Sequence, residues 1–157
     1  MLIRRATTAD IPDILRLMVQ VCNVHQDIRP DIFTRDGVKY TDNDLNALLL
    51  DESRPVWCAV HDKKFLGYCF CQWVEYRDSS VSTDRKELYI DDLCVDENCR
   101  GRGVATALYR HVTAAAKAAG ADFITLNVWC GNENAMAFYE KMGMKPRKIT
   151  MDLPLED

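Results

Sequence analysis

Apolar positions change their spacing three times along the chain, and each change predicts a different kind of element. Residues 2–6 read as a short strand. Thr7-Thr8-Ala9-Asp10 then offers a capping box, in which Thr7 and Asp10 satisfy each other's exposed amides. Ile11, Ile14, Leu15, Met18, Val21 and Cys22 follow at helical spacing and make one apolar stripe. Residues 26–40 are irregular, with Pro30 and Gly37 as breakers. Thr41-x-x-Asp44 repeats the capping pattern ahead of Leu45, Leu48 and Leu49, which predicts a second short helix.

The middle of the chain shortens its period. Val56–Val60 is short and apolar, and His61-Asp62-Lys63-Lys64 reads as a hairpin turn. Phe65–Tyr76 is apolar on both faces, as expected of a central strand covered on both sides. Ser79–Asp84 breaks the run and Glu87–Val95 makes another strand, so the three should pair antiparallel. The last third alternates. Arg100–Gly103 is a turn leading to a helix with Val104, Leu108, His111, Val112 and Ala115 on one face, closed by Gly120. Phe123–Trp129 is a β-rich run. Asn132 can cap a helix carrying Ala135, Phe138, Tyr139 and Met142, which Gly143 closes, and Ile149–Leu153 reads as a last strand. Strands on both sides of each helix predict a mixed α/β (α+β) domain.

Composition narrows the class without naming a chemistry. At 157 residues the chain suits one domain, which should bury about 68–70% of its unfolded surface. Hydrophobic residues at 48% and charged residues at 28% are ordinary for a soluble globular protein. Twenty Lys and Arg against twenty-four Asp and Glu leave a net charge of −4, so no basic field advertises a nucleic-acid partner. The N-terminus turns polar at once, unlike a signal peptide, and no apolar run reaches the length of a membrane helix. A soluble, cytoplasmic protein with no membrane partner is expected. Seven cysteines, an odd number without CxxC or paired Cys/His spacing, predict reduced core thiols rather than disulfides or a metal site.

The strongest local chemistry is Val95-Asp96-Glu97-Asn98-Cys99-Arg100-Gly101-Arg102-Gly103-Val104-Ala105. A strand runs into a turn with two glycines and then a helix begins, so exposed helix-start amides can converge on one anion. Arg100 and Arg102 stand by for charge-assisted contacts. Thr106 replaces the third glycine of a dinucleotide fingerprint, and no Gly-Lys-Ser/Thr follows for a P-loop. The next β-turn-α unit carries Asn132-Glu133-Asn134-Ala135-Met136-Ala137-Phe138-Tyr139-Glu140-Lys141-Met142-Gly143.

Taken together, Leu93–Ala105 and Asn132–Gly143 resemble the GNAT acyltransferase superfamily. Its first motif, Arg/Gln-x-x-Gly-x-Gly/Ala, is met by Arg100, Gly103 and Ala105. Its second, roughly Asn-x-x-Ala-x-x-Phe-Tyr-x-x-x-Gly, is met by Asn132, Ala135, Phe138, Tyr139 and Gly143. The resemblance runs from about residue 2 to 153 and implies a central mixed, mostly antiparallel sheet with splayed middle strands flanked by helices. It also implies acetyl-CoA as co-substrate, without a metal.

Carried onto this chain, Leu93 and Val95 would offer backbone groups to the pantetheine arm, with Cys94 beside the thioester but turned away by strand alternation. Amides of Arg100, Gly101, Arg102, Gly103, Val104, Ala105 and Thr106 would hold the pyrophosphate. Asn132 would touch the pantetheine region, and Tyr139 would donate a proton to the departing thiolate. Met144 and Cys99 depart from commoner family residues but touch none of this chemistry, and residues 22–54 match only in outline.

An alkyl amine with a pKa near 10.4 is about one part in 2,500 neutral at pH 7, so freeing it costs about 4.6 kcal/mol. A carboxylate could take that proton directly or through water. Ile90-Asp91-Asp92-Leu93 resembles the Glu-Asp pair of spermidine/spermine acetyltransferases, which makes Asp91 the candidate base. Strand alternation should place Asp92 on the other face, as a structural group tying down the turn before Arg100. Glu75 and Glu87 are alternative proton acceptors, Trp73, Tyr76 and Trp129 are candidate linings of the acceptor pocket, and His25 and His111 read as loop and helix-face residues. The leading expectation is transfer of acetyl to a small-molecule primary amine. The alternatives are a protein N-terminus or lysine as acceptor, and a non-catalytic acyl-CoA-binding sensor. The oligomeric state is open, and the C-terminal strand could support a homodimer.

Overall fold

β1 (Leu2–Arg5) enters α1 (Ile11–Ile28) through the expected capping box: the Asp10 carboxylate accepts from the Thr7 amide at 2.7 Å and takes both guanidinium nitrogens of Arg4 at 2.8 Å. The computed structural model describes residues 1–155. α1 runs on through residues expected to be irregular, and α2 (Asp42–Leu48) starts where Thr41 and Asp44 cap each other.

β2 (Val56–His61) and β3 (Lys64–Tyr76) form a hairpin whose two turn residues, Asp62 and Lys63, both take positive φ, matching the right-handed twist of the strands. β4 (Arg85–Val95), α3 (Val104–Ala118), β5 (Phe123–Leu126) and α4 (Glu133–Lys141) complete the order. The sheet runs β1-β2-β3-β4-β5, antiparallel except for the parallel pair β4 and β5.

Two cores share this sheet. Ile14, Leu17 and Met18 of α1 with Leu45 and Leu48 of α2 pack on Cys58, Tyr68 and Phe70 on one face. Leu108 and Val112 of α3 pack on Ala59, Cys69, Leu88 and Ile90 on the other, with Phe138 and Tyr139 of α4 at the margin. The unbroken burial from Phe65 to Cys71 follows from being covered on both sides. Full burial of a side chain such as Leu108 contributes about 1.5–3 kcal/mol, and truncating it to Ala would cost about 2–5 kcal/mol. Two expectations fail at the C-terminal end. β5 stops at Leu126 rather than Trp129, and Ile149–Leu153 forms no strand but lies exposed. Neither stretch finds the backbone partners that a strand requires. Among the described residues no helix is long and apolar enough to cross a membrane.

Candidate active site

β4 and β5 pair only from Glu87–Ile90 against Phe123–Leu126, so the remaining end of β4 has β3 on one side and an opening on the other. The register decides what faces that opening. The Asp96 amide donates to Leu66 on the β3 side at 2.9 Å, and Val95 lies opposite Gly67. Antiparallel pairs alternate between bonded and non-bonded, so the backbone groups of Leu93 and Val95 point outward. The Val95 carbonyl already accepts from Gln20 Nε2 of α1 at 2.9 Å, and the Gln20 oxygen accepts from the Glu97 amide at 2.9 Å.

The turn beyond β4 is held from beneath. Cys99 is buried, and the buried Asp96 carboxylate accepts from the Asn98 amide at 2.9 Å and from Arg16 at 2.8 Å. Burial opposes ionisation of Asp96, but the Asn98 and Arg16 contacts outweigh it and leave the pKa below the usual carboxylate value. Asp96, not Asp92, therefore ties down the turn. Gly101 and Gly103 take φ of +74° and +78°, and Gly103 precedes α3 with no side chain to cap it. The first amides of α3, at Val104, Ala105 and Thr106, have no acceptor within the helix. Val104 buries its side chain and can offer only its amide, while Arg100 and Arg102 are exposed.

A bulge overturns the alternation expected at Asp91 and Asp92. Phe70 pairs with Asp92 and Cys71 with Ile90, so Asp91 is the extra residue. Both carboxylates consequently reach the α1 face. Asp91 accepts from Lys39 Nζ at 2.6 Å and from the Tyr40 hydroxyl at 2.9 Å, and Arg54 donates to that hydroxyl at 2.6 Å. Asp92 accepts from the Tyr68 hydroxyl at 2.7 Å. Burial pushes the Asp92 carboxyl up to about 6, against the partial help of Tyr68 and Lys39. Burial together with the Asp92 charge pushes the Tyr68 phenol up in turn.

α4 supplies the other wall. Asn132 caps it, its side-chain oxygen accepting from the Ala135 amide at 3.2 Å. Tyr139 packs beside Tyr109 and Phe138, with ring centroids 6.2 and 5.1 Å away. Burial, aided by the field of Cys69 and Asp92, raises its phenol pKa and keeps it protonated. Cys94 points beneath α1, where its thiol donates to the Leu17 carbonyl at 3.5 Å, and burial raises its pKa. That thiol is not a nucleophile in the opening.

Other candidates lie elsewhere. Glu87 is buried between Arg85 and Arg147 at the far end of β4, an ion-paired structural group, and Glu75 pairs with Arg77 on the surface. Trp73 and Tyr76 sit opposite Leu88 and Arg85, toward the start of β4 and away from Asp91. Trp129 instead meets Phe33 edge-on at 5.0 Å, and Phe33 touches His25. His25 belongs to α1 rather than a loop, and burial with the nearby Lys39 charge lowers its pKa. His111 lies on α3 against Trp57. Lys39, Tyr40, Arg54 and Phe33 went unread in the sequence, because they lie in the stretches on either side of α2, which have neither periodicity nor a motif. Among the described residues no three His, Cys, Asp or Glu side chains gather as a metal site would require.

Comparison with known proteins bears on this geometry. Residues 18–144 match the Acetyltransferase (GNAT) family. The uncharacterized N-acetyltransferase MJ1207 from Methanocaldococcus jannaschii is 31% identical over 101 residues, 63% of this chain and 42% of that protein. N-alpha-acetyltransferase 30 from Schizosaccharomyces pombe is 32% identical over 85 residues, 54% of this chain and 53% of that one. The chain thus spans about half the length, or less, of these curated relatives. The crystal structure of a mutant BH1408 protein from Bacillus halodurans superposes with a TM-score of 0.95 at 34% identity, covering 99% of this chain and 100% of that one.

Proposed function

Because the chain belongs to the Acetyltransferase (GNAT) family, we propose that it moves an acetyl group from acetyl-CoA to a primary amine by direct attack within a ternary complex. The observation that carries this reading is the opening beside β4. Outward backbone groups of Leu93 and Val95 run from Asp91 toward the uncapped start of α3. The residues fit the co-substrate: a Cβ at Gly101 or Gly103 would meet nothing within 4 Å, so space lies open before the helix-start amides.

Amides of Gly101–Thr106, with Arg100 and Arg102, hold the pyrophosphate. The outward groups of Leu93 and the outward amide of Val95 hold the pantetheine arm, with Asn132 alongside. Acetyl-CoA supplies an activated acyl thioester when bound. Asp91 receives the acceptor's ammonium in place of Lys39 and draws its proton away, directly or through water. A backbone amide of Leu93 or Val95 polarises the carbonyl under attack. As the new C–N bond forms and the C–S bond breaks, Tyr139 gives its proton to the leaving sulfur.

A second reading concerns the acceptor. Asp91 already accepts from Lys39 and Tyr40, so both of its oxygens are engaged before an acceptor arrives, which favours an amine that needs little deprotonation. An α-amine, with a pKa of about 7.7–8.0, costs only about 1 kcal/mol to free at pH 7. The similarity to an N-alpha-acetyltransferase agrees with a peptide N-terminus as acceptor.

The test begins with thermal unfolding in excess acetyl-CoA, with NADH and ATP as controls. A hundredfold excess over Kd adds about 2.7 kcal/mol, or roughly 5–10 °C for a domain of this size. CoA release is then followed across polyamines, aminoglycosides and peptides with free N-termini. No release above the buffer rate with any of them would overturn the enzyme reading.

A further inference from the structure

Lys39 meets Asp91 as an acceptor amine would. Its ammonium stands 2.6 Å from Asp91 Oδ1, while the Tyr40 hydroxyl holds Oδ2 at 2.9 Å. The two contacts differ in what fixes them. Tyr40 stacks on Phe70 with ring centroids 5.8 Å apart, and its hydroxyl accepts from Arg54 at 2.6 Å, so it keeps its place. The Lys39 side chain is 49% exposed and belongs to the stretch between α1 and α2, outside any helix or strand. Its nitrogen can therefore swing away while Tyr40 keeps the carboxylate where it is. The outward groups of Leu93 begin two residues beyond Asp91, roughly 7 Å along the strand.

Among the described residues no other lysine pairs with a carboxylate. Lys63 and Lys64, for example, lie exposed at the turn between β2 and β3. We infer that Lys39 is itself an acceptor: with acetyl-CoA bound and no other amine present, the chain acetylates its own Lys39. The inference rests on the reading above, with Asp91 as base and Tyr139 as acid. Asp91 takes one proton from the ammonium, and the freed nitrogen forms a C–N bond to the acyl carbon as the C–S bond breaks. Tyr139 protonates the sulfur and is restored by the nitrogen's second proton. The amide, the CoA thiol and one released proton balance the reaction.

Ordinary acylation would pass Lys39 over. Burial opposes its charge, but the Asp91 carboxylate outweighs burial and raises its pKa. Proximity compensates, since well-oriented intramolecular partners behave as if present at about 10⁵–10⁸ M. The amide has no charge for Asp91 to hold, so the reaction stops at one acetyl per chain and vacates the carboxylate.

Peptide mass spectrometry of the full-length chain, incubated with acetyl-CoA alone, tests this. One acetyl group is expected on Lys39 and at least about tenfold less on Lys63 or Lys64, at a rate independent of protein concentration. Lys39→Arg keeps the pair with Asp91 and should release no CoA above the buffer rate until an amine is added. Without acetyl-CoA, trace labelling by acetic anhydride should reverse the order. Lys39 should then react several-fold more slowly than Lys63 and Lys64, a protection lost in Asp91→Asn. Turnover of an added amine with no acetyl on Lys39 overturns this inference and spares the enzyme reading, whereas loss of both overturns the two together. Equal acetylation of Lys39, Lys63 and Lys64 by acetyl-CoA, or labelling of Lys39 by the anhydride as readily as Lys63, also overturns it.

Discussion

Lys39 places its ammonium 2.6 Å from the Asp91 carboxylate, joining a loop between two helices to the bulge in β4. A protein ammonium thus stands where the proposed acceptor's ammonium must go. A partly exposed ion pair contributes about 0.2–1 kcal/mol. Lys39→Met should therefore lower KM for a cationic amine roughly 1.5- to 5-fold, leaving kcat and the KM for acetyl-CoA nearly unchanged. Initial rates against both substrates check this, and an unchanged or raised amine KM counts against displacement.

Tyr139 is expected to matter only once the thioester opens. Its phenol is kept protonated by burial, which suits a donor. Tyr139→Phe should lower kcat by about 10²-fold or more while the thermal shift produced by acetyl-CoA stays the same. A rate within twofold of wild type would remove Tyr139 as the acid.

Two glycines on the same side of the fold should fail in different ways. A Cβ at Gly103 would meet nothing within 4 Å, but φ of +78° makes any side chain there cost about 1–2 kcal/mol. Gly103→Val relieves that strain by giving up the turn, so calorimetric titration should show acetyl-CoA affinity reduced roughly tenfold, about 1.4 kcal/mol. At Gly67 a Cβ would stand 2.5 Å from the Cys94 carbonyl oxygen. Gly67→Ala should accordingly cost about 1–3 kcal/mol of folding stability, seen as a lower urea midpoint. Reversed results would mean that the Gly103 turn serves folding and the Gly67 strand contact serves the co-substrate.

Asp92 makes the stability depend on pH in an uncommon direction. Its carboxyl sits near 6 in the folded chain against 3.8 unperturbed. The native state thus binds this proton more tightly, so the group's stabilisation is complete below about 3.8 and is lost as pH rises through about 6. The gap of about two units corresponds to roughly 3 kcal/mol. Wild type should lose about that much stability relative to Asp92→Asn between about pH 4 and pH 7. A difference that stays flat with pH would show that the carboxyl is not held out of water. Asp10 and Asp96, whose pKa values are lowered, act with the opposite sign.

Most of the frame was legible because local chemistry specified it. Thr7 with Asp10 and Thr41 with Asp44 announced two helix starts, and apolar runs separated by short polar breaks announced β2, β3 and β4. The glycine turn and the Asn132 cap were visible because only certain residues take those backbone conformations or bond those amides. What escaped was set across the fold. A bulge leaves no mark in the sequence of its own strand, so the face of Asp91 was unreadable until β3 was laid beside β4. Asp96 was hidden for the same reason, since its partner Arg16 belongs to a distant helix. Lys39, Tyr40 and Arg54 sit in a stretch whose conformation is fixed by what it packs on, Phe70 among others, rather than by any local pattern.

Gln20 carries a consequence for how this protein avoids its neighbours. Its side-chain amide has the donor and acceptor of a peptide unit, and it binds the Val95 carbonyl and the Glu97 amide as an adjoining strand would. The bare edge of β4 is thereby confined to the stretch from Asp91 to the Val95 amide, between the last residue paired with β5 and the carbonyl that Gln20 clasps. At roughly 3.3 Å per residue that is a gap of about 13 Å. A slender extended arm fits such a slot, whereas a stray strand finds too short a ladder to nucleate on. Open edges invite aggregation, and one glutamine lets this sheet stay parted without that hazard.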